Sequence, residues 1–216
     1  MGYKTTFLFD KSNNWLIERF VRSFVSDTKY EFYFTTESKE IVGNDIVFVI
    51  GYTRILDYRF LKANKLALLV HESDLPKGKG FSPVQWQILE GKTTIPICLL
   101  EVAQEVDSGK IYLKSTFHIS RTDLYPEIRE KQGRATVDLI KQFLSSYPNY
   151  EKLAQVGEES FYRRRTSLES RLAVDKTIEE QFDLMRIASN EHWPSHFYIR
   201  NQKYILKIYK ENTTEG

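Results

Sequence analysis

The sequence predicts an α/β fold, a Rossmann-like and mostly parallel sheet that carries a small C-terminal appendage of one helix and a β-hairpin. Two observations predict it. Over residues 1–150, short apolar β-prone runs alternate with helical patterns, which is the element order of a parallel α/β sheet. After residue 150 the chain becomes polar and irregular, and one more helical pattern and two β-prone runs follow. We therefore expect a main domain over residues 1–150 and a subdomain of linker, helix and hairpin over residues 151–216.

The main domain is predicted from β-prone runs and from apolar residues at helical spacing. Strands are expected at residues 5–9, 31–35, 45–51, 66–70, 95–102 and 110–118. Helices are expected at residues 57–63, 83–90 and 124–147, and at the apolar repeat of Trp15, Leu16, Phe20, Val21 and Phe24. The loop after the first strand has no GxGxxG pattern, so the dinucleotide-binding fingerprint is absent.

The subdomain is predicted to hold one helix and one hairpin. The helix is expected at residues 177–188, with Ile178, Phe182, Leu184, Met185 and Ile187 on its apolar side. The hairpin is expected at residues 197–210, with a loop of about three residues around Arg200-Asn201-Gln202. The aromatic residues of this segment are expected in core or dimer packing, the alternative being stacking on a nucleotide base. A lone two-stranded hairpin is marginally stable, which favours a homodimer.

The composition excludes several classes of protein. The net charge is +2, from 31 basic and 29 acidic residues, which argues against a general nucleic-acid binder. The single cysteine, Cys98, excludes an internal disulfide, and its apolar surroundings predict a packing role. No apolar stretch approaches 18 residues, and the N-terminus lacks the apolar segment of a signal peptide. We expect a cytoplasmic protein without a membrane span and, from the scattered His residues, without a metal site.

His71 and Asp107 each close an apolar run, residues 66–70 in the case of His71, and each begins a polar loop. Two neighbouring parallel strands would bring both side chains to one edge of the sheet, where open α/β sheets bind ligands. A carboxylate beside an imidazole fixes its tautomer and makes a general base. The alternatives are an ordinary loop histidine and, for Asp107-Ser108-Gly109, a simple turn.

Two basic segments are candidate anion sites. In Pro76-Lys77-Gly78-Lys79-Gly80, the glycines allow a ligand to approach the backbone and the lysines supply charge. The alternative is an exposed, flexible loop. The run Arg163-Arg164-Arg165 suits a diphosphate clamp, because guanidinium groups match phosphate geometry, or else it is a solvated charged face.

These motifs together resemble the formyltransferase family that uses 10-formyltetrahydrofolate. The family loop runs Asn-x-His-x-Ser-Leu-Leu-Pro, then a basic residue, Gly and Pro, and the positions that fall on it are His71, Ser73, Leu75, Pro76, Lys79, Gly80 and Pro83. The family motif Asp-[Ser/Thr]-Gly is matched at residues 107–109, which is the family's usual distance from the histidine. Arg165-Thr166 and residues 175–178 are similar to the family's linker. Residues 193–197 and 206–208 are similar to a C-terminal pattern of sugar N-formyltransferases.

The resemblance implies a reaction and a set of contacts. It implies that an amine attacks the formyl carbon, that His71 takes the proton of the amine, and that Asp107 positions His71 or a water. It implies that the folate contacts Leu69, Val70, Ser73, Leu75, Val102 and Asp107. It implies that the acceptor contacts Glu72, Asp74, Lys77, Gly78, Lys79, Trp86, Arg163, Arg164 and Arg165.

The sequence departs from the family pattern at two positions. Leu69 stands where the family has an Asn that stabilises the oxyanion. Either another donor serves, with protonated His71 or a backbone N–H as the candidates, or the activity is weak. Asp74 stands where the family usually has Leu, and with Glu72 it forms an acidic cluster suited to a protonated amino sugar.

The resemblance also suggests a subfamily. Only about 66 residues follow residue 150, which favours a nucleotide-linked substrate over tRNA. The form His-Glu-Ser-Asp-Leu-Pro-Lys-Gly-Lys-Gly-Phe-Ser-Pro is most similar to enzymes that formylate a UDP-linked 4-amino-4,6-dideoxy sugar in pseudaminic-type acid pathways. The alternatives are a formyltetrahydrofolate deformylase and a non-catalytic folate-binding relative.

Overall fold

The computed structural model describes residues 2–22 and 29–211. Its central sheet has six strands in the order β2-β1-β3-β4-β6-β7. They are β1 (Tyr3–Phe9), β2 (Tyr30–Thr35), β3 (Ile46–Ile50), β4 (Ala67–His71), β6 (Thr94–Glu101) and β7 (Ile111–His118). Strand β1 pairs in parallel with β2 and β3, and β3 pairs in parallel with β4. Strands β4, β6 and β7 are antiparallel, so the predicted mostly parallel α/β sheet is confirmed, with an antiparallel end.

The helices cover both faces of this sheet. They are α1 (Asn14–Leu16, continued by a π-helical turn at Ile17–Val21), α2 (Tyr58–Ala63), α3 (Pro83–Leu89) and α4 (Tyr125–Ser146). Alternate strand residues point to opposite faces. Phe7, Phe48 and Leu68 pack with Phe143 of α4 in one core, while Leu8, Val47 and Ala67 pack with Phe60 of α2 in another. Phe24, predicted to extend the first helix, lies outside the described residues.

The C-terminal segment differs from two predictions. The helix expected at residues 177–188 is only α5 (Phe182–Arg186), preceded by a 3-10 turn at Glu179–Gln181, and Ile178 is exposed. The apolar residues there have helical spacing, but the chain divides them between a 3-10 turn and a short helix, so the spacing does not correspond to one continuous helix. The hairpin joins β9 (Ser195–Ile199) and β10 (Gln202–Leu206) through two residues instead of three. Both of them, Arg200 and Asn201, have positive φ, which is the backbone of a tight hairpin turn.

The segment after residue 150 also contacts the main sheet and its loops. Leu153 forms a bridge to Ile111, the first residue of β7. Two short strands, β5 (Lys79–Gly80) and β8 (Phe161–Tyr162), pair in parallel and join this segment to the loop after β4. The domain boundary near residue 150 stays a prediction.

Candidate active site

His71 is the last residue of β4, and its side chain lies on the sheet face opposite α4. Only 7% of the side chain is exposed. The strand arrangement that brings Asp107 to it differs from the predicted one, because β6 runs antiparallel to β4. The two residues meet because the loop between β6 and β7 folds back over the end of β4. The loop begins beside the first residue of β4, where the Val102 N–H donates to the Ala67 carbonyl (2.8 Å), and Asp107 reaches His71 at the other end of that strand.

Both nitrogens of the His71 ring face an acceptor. Nε2 lies 2.7 Å from the Gly78 carbonyl oxygen, and Nδ1 lies 3.5 Å from Oδ2 of Asp107. A carbonyl oxygen only accepts, so Nε2 carries the ring proton and Nδ1 of the neutral ring is free to take another. A proton taken at Nδ1 would face the Asp107 carboxylate, which would stabilise the imidazolium. This is the arrangement of a general base with a carboxylate partner.

The Asp107 turn is held by contacts that its sequence motif explains only in part. Asp107 has a φ of 51°, a left-handed conformation that Asp tolerates better than most residues. Gly109 is required because a Cβ there would lie 1.7 Å from the Glu101 carbonyl oxygen. The amide of Gln155 donates to the Asp107 and Gly109 carbonyls, at 2.7 and 2.8 Å. No motif in the sequence points to Gln155.

Residues 155–162 form a strap across the loop after β4. Ser160 accepts from the Gly78 N–H through its hydroxyl (2.9 Å) and from the Lys79 N–H through its carbonyl (2.9 Å). The Gly80 N–H donates to Oδ2 of Asp107 (2.8 Å). The strap, the loop and the Asp107 turn therefore form one hydrogen-bonded unit around His71. Gly78 and Lys79 are buried, so the alternative of an exposed loop is wrong for these two residues.

The residues expected to contact the folate fall on two sides of β4. Leu69 shares a sheet face with His71 and packs against Leu75, Cys98 and Leu100, whereas Val70 packs against the cores on the α4 face. Val102 lies beside the core that contains Leu8 and Phe60. Ser73 is buried, and its hydroxyl has no hydrogen-bond partner among the described residues. The structure therefore places Leu69, Ser73, Leu75 and Asp107 around His71, and Val70 away from it.

The lysines and acidic residues of the loop have separate partners. Lys79 is buried and forms an ion pair with Glu159 of the strap, while Lys77 is exposed. Asp74 is exposed and pairs with Lys114 (3.1 Å). Glu72 points toward α4, where its carboxylate accepts from the amide of Gln132 (2.6 Å).

Trp86 organises a second, basic cluster at the end of the strap. The guanidinium carbons of Arg163 and Arg165 lie 5.0 and 5.3 Å from the centre of the Trp86 ring, and Tyr162 stacks on that ring at 6.3 Å. The Trp86 indole N–H donates to the Arg163 carbonyl (2.8 Å). Arg163 also forms an ion pair with Glu169. Arg164 lies over Phe81 instead, with 4.3 Å between the guanidinium carbon and the ring centre.

Cys98 is buried behind the site, in β6. Its thiol lies 3.5 Å from the His71 carbonyl oxygen. Burial raises the pKa of the Cys98 thiol to about 12, so the thiolate is not formed near neutral pH. This fits the predicted packing role.

In the described part of the chain, no helix is both long and apolar enough to cross a bilayer. Residues 2–22 and 29–211 also contain no cluster of three His, Cys, Asp or Glu side chains suited to a metal ion.

The comparisons with known proteins agree with this fold and motif set. A family model described as formyl transferase matches residues 20–142. Methionyl-tRNA formyltransferase of Rickettsia massiliae (strain Mtu5) is 27% identical over 168 residues, which are 77% of this chain and 55% of that protein. The same enzyme of Rickettsia bellii (strain RML369-C) is 26% identical over 83% of this chain and 60% of that protein. The chain thus spans little more than half the length of these curated relatives.

Solved structures show the same fold at low sequence identity. The methionyl-tRNA formyltransferase from Clostridium thermocellum has a TM-score of 0.81 at 20% identity and covers 98% of this chain and 95% of its own. A 4-N formyltransferase from Francisella tularensis has a TM-score of 0.73 at 14% identity, covering 96% of this chain and 98% of its own. HypX from Aquifex aeolicus in complex with tetrahydrofolic acid has a TM-score of 0.72 at 14% identity, covering 96% of this chain and 38% of its own.

Proposed function

Because this chain belongs to the formyl transferase family, we propose that it moves a formyl group from 10-formyltetrahydrofolate to the amine of a nucleotide-linked amino sugar. The observation that carries the proposal is the His71 ring, held between the Gly78 carbonyl and the Asp107 carboxylate at the end of β4. An N-formyl transfer needs a base that takes a proton from the attacking amine, and Nδ1 of His71 is arranged to accept one.

The proposed reaction uses the residues of this chain in a defined order. The acceptor nitrogen forms a bond to the formyl carbon of the folate, and its proton passes to Nδ1 of His71, directly or through a water. Asp107 stabilises the imidazolium that results. The tetrahedral intermediate then collapses with loss of the bond between the formyl carbon and N10, and the proton held by His71 goes to that nitrogen.

The oxyanion of the intermediate needs a donor, and Leu69 offers none. The Ser73 hydroxyl is buried and has no hydrogen-bond partner among the described residues. Ser73 also lies close to Gly78, because a Cβ built on Gly78 would be 3.0 Å from the Ser73 Cβ. We propose that this hydroxyl replaces the family Asn, because both ring nitrogens of His71 already face acceptors, the Gly78 carbonyl and the Asp107 carboxylate. In other enzymes the loss of one oxyanion donor costs about 3–4 kcal/mol of transition-state stabilisation, and the replacing group must supply stabilisation of about this size.

The acceptor is proposed as a UDP-linked 4-amino-4,6-dideoxy sugar of the pseudaminic-acid type. Three features support a sugar over tRNA: the loop motif, the small net charge of +2, and the acidic Glu72 and Asp74 in the segment that follows His71. The structural likeness to a 4-N formyltransferase is compatible with it. A homodimer through the C-terminal hairpin is part of the proposal, since Tyr198, Tyr204 and Ile205 of the hairpin are exposed.

The experiment is an assay with 10-formyltetrahydrofolate and a panel of UDP- and dTDP-linked amino sugars, with release of tetrahydrofolate followed by absorbance and the formylated sugar by mass spectrometry. We expect turnover that depends on one of the amino sugars. Folate turnover independent of any sugar would replace the proposal with a deformylase. Formylation of methionyl-tRNA, but of no sugar in the panel, would replace the acceptor class.

A further inference from the structure

Arg129 of α4 is a half-buried cation that forms no ion pair with a carboxylate of the described residues. Its guanidinium carbon lies 3.9 Å from the centre of the Trp15 ring and 5.9 Å from that of Tyr125. Its hydrogen bonds go to neutral amide oxygens, those of Gln132 (2.8 Å) and Asn13 (3.4 Å). No carboxylate of residues 2–22 and 29–211 forms an ion pair with it; burial lowers the pKa of Arg129, and the more distant charge of Glu72 acts in the opposite direction. Since the guanidinium contacts only an aromatic ring and neutral amide oxygens of these segments, this arrangement leaves its charge available to an anion.

Arg129 lies where an open α/β sheet binds ligands. Its partner Asn13 follows β1, and the Asn13 amide donates to the carbonyl of Gly51, the residue that follows β3 (2.6 Å). The chain leaves β1 toward β2 on one side and returns to β3 on the other, so the strand order reverses here. The crevice at the carboxyl ends of such strands is the usual ligand site of this architecture.

One side chain joins this cation to the proposed active site. The Gln132 carbonyl oxygen accepts from Arg129, and the Gln132 amide donates to the carboxylate of Glu72 (2.6 Å). Glu72 follows His71 directly in the chain. A ligand with an anionic group at Arg129 and an amine near Glu72 would therefore span the length of one glutamine side chain. An amino sugar with a phosphate on its anomeric carbon has its two charged groups separated by one pyranose ring.

We propose that Arg129, stacked on Trp15, binds the phosphate groups of the acceptor substrate and so sets the amine at the end of β4, where His71 and Glu72 follow each other in the chain. The inference rests on the proposed function, because it names the anchor of that same acceptor. A guanidinium fork matches phosphate oxygens in two parallel hydrogen bonds, and stacking on an indole fixes its plane. Arg163 is a weaker candidate for this role, because Glu169 already neutralises it.

The first test measures binding by calorimetry with inorganic pyrophosphate, UDP and glutarate as probes. The variants are Arg129→Met, which still packs on Trp15, Arg129→Lys, which keeps the charge, and Arg134→Met as a matched control. Arg134 is an exposed arginine of the same helix that pairs with Glu130. We expect pyrophosphate and UDP affinity to fall at least tenfold in Arg129→Met, less in Arg129→Lys, and less than twofold in the control. Tighter binding of UDP than of pyrophosphate is expected for a nucleotide-linked acceptor.

Three binding results would overturn the inference. They are equal affinity of Arg129→Met and the unchanged protein for the phosphate probes, absence of phosphate binding to the unchanged protein, and tighter binding of glutarate than of pyrophosphate at Arg129. Circular dichroism melting verifies the fold of each variant. If Arg129→Met unfolds, the phosphate affinity of Arg129→Lys still tests the role of Arg129.

The second test separates this inference from the proposed function. With the amino-sugar acceptor, Arg129→Met should raise KM for the acceptor at least tenfold and change kcat less than threefold. Formylation with an unchanged KM would remove the inference and leave the function. Loss of pyrophosphate binding in Arg129→Met, in a protein that formylates no amino sugar, would keep the anion site and remove the function.

Discussion

The Gly78 carbonyl oxygen lies 2.7 Å from Nε2 of His71, and this contact selects the tautomer of the ring. Gly78 is in turn fixed by the Ser160 hydroxyl, which accepts from its N–H. The protonation pattern of the proposed base is therefore set by a segment some eighty residues away in the chain. Substitutions in that segment should change catalysis without touching a substrate.

The close contact between Gly80 and the strap should appear in stability. Gly80 has a φ of 96°, and a Cβ on it would lie 2.4 Å from the Tyr162 carbonyl oxygen. Gly91 is a matched control, because it has a φ of 80° and open space around its Cβ. We expect Gly91→Ala to cost about 1–2 kcal/mol from backbone strain. Gly80→Ala should cost about 1–3 kcal/mol more from the clash. Urea unfolding of both variants measures the loss in free energy of unfolding. Equal losses for the two variants would show that Gly80 is not in close contact with the Tyr162 carbonyl.

Gln155 should act as a positioning residue for Asp107. Gln155→Leu keeps the bulk of the side chain but removes the amide that donates to the Asp107 and Gly109 carbonyls. We expect kcat to fall roughly ten- to hundredfold as the carboxylate shifts, with KM for the acceptor changed less than threefold. Steady-state kinetics measure the split, and Val156→Ala, at an 86% exposed neighbour, is the control. A rise in KM with kcat intact would place Gln155 in substrate binding instead.

The Cys98 thiol should be inert in the folded protein. Burial raises its pKa to about 12, so at pH 8 it remains protonated and inaccessible. A thiol reagent such as Ellman's reagent should find no reactive group in the native protein and one per chain after unfolding in guanidinium. Rapid labelling of the native protein would mean that β6 opens or that the thiol is exposed.

Leu69 allows the oxyanion proposal to be tested by a gain of function. Leu69→Asn restores the donor of the family pattern on the face of β4 that carries His71. We expect kcat to rise by roughly tenfold, a fraction of the effect of one oxyanion donor, because other groups already supply part of the stabilisation. Leu69→Ala separates this from loosened packing around Leu75 and Leu100. An unchanged kcat in a folded Leu69→Asn variant would place the oxyanion away from this position.

The sequence predicted the elements whose pattern is local, and it failed where contacts between distant segments decide. The apolar run at residues 45–51 and the helix at 83–90, which ends before Gly91, match β3 and α3 because each is specified by its own residues. The pairing of His71 with Asp107 was foreseen, but through the wrong strand direction. The contact between the two residues depends on the path of the loop at residues 102–110, and the apolar periodicity of a sequence carries no information on the path of a loop.

The polar network around the site was invisible in the sequence for a similar reason. Gln155 and Ser160 lie in a segment without regular periodicity, and their role depends on carbonyls and N–H groups that every residue has. Arg129 and Gln132 belong to α4, whose pattern showed only which residues face the core. Ile178 shows the opposite failure, since an apolar residue at helical spacing lies 75% exposed beside a short helix.

The central claim is that His71 is the proton acceptor in an N-formyl transfer, and the kcat of His71→Asn with the amino-sugar acceptor tests it most directly. Asn keeps a polar side chain beside Gly78 but lacks a basic nitrogen. We expect a loss of at least tenfold, and up to about ten-thousandfold, in kcat, with pyrophosphate still bound at unchanged affinity. A folded His71→Asn variant that retains more than a tenth of the kcat would contradict it.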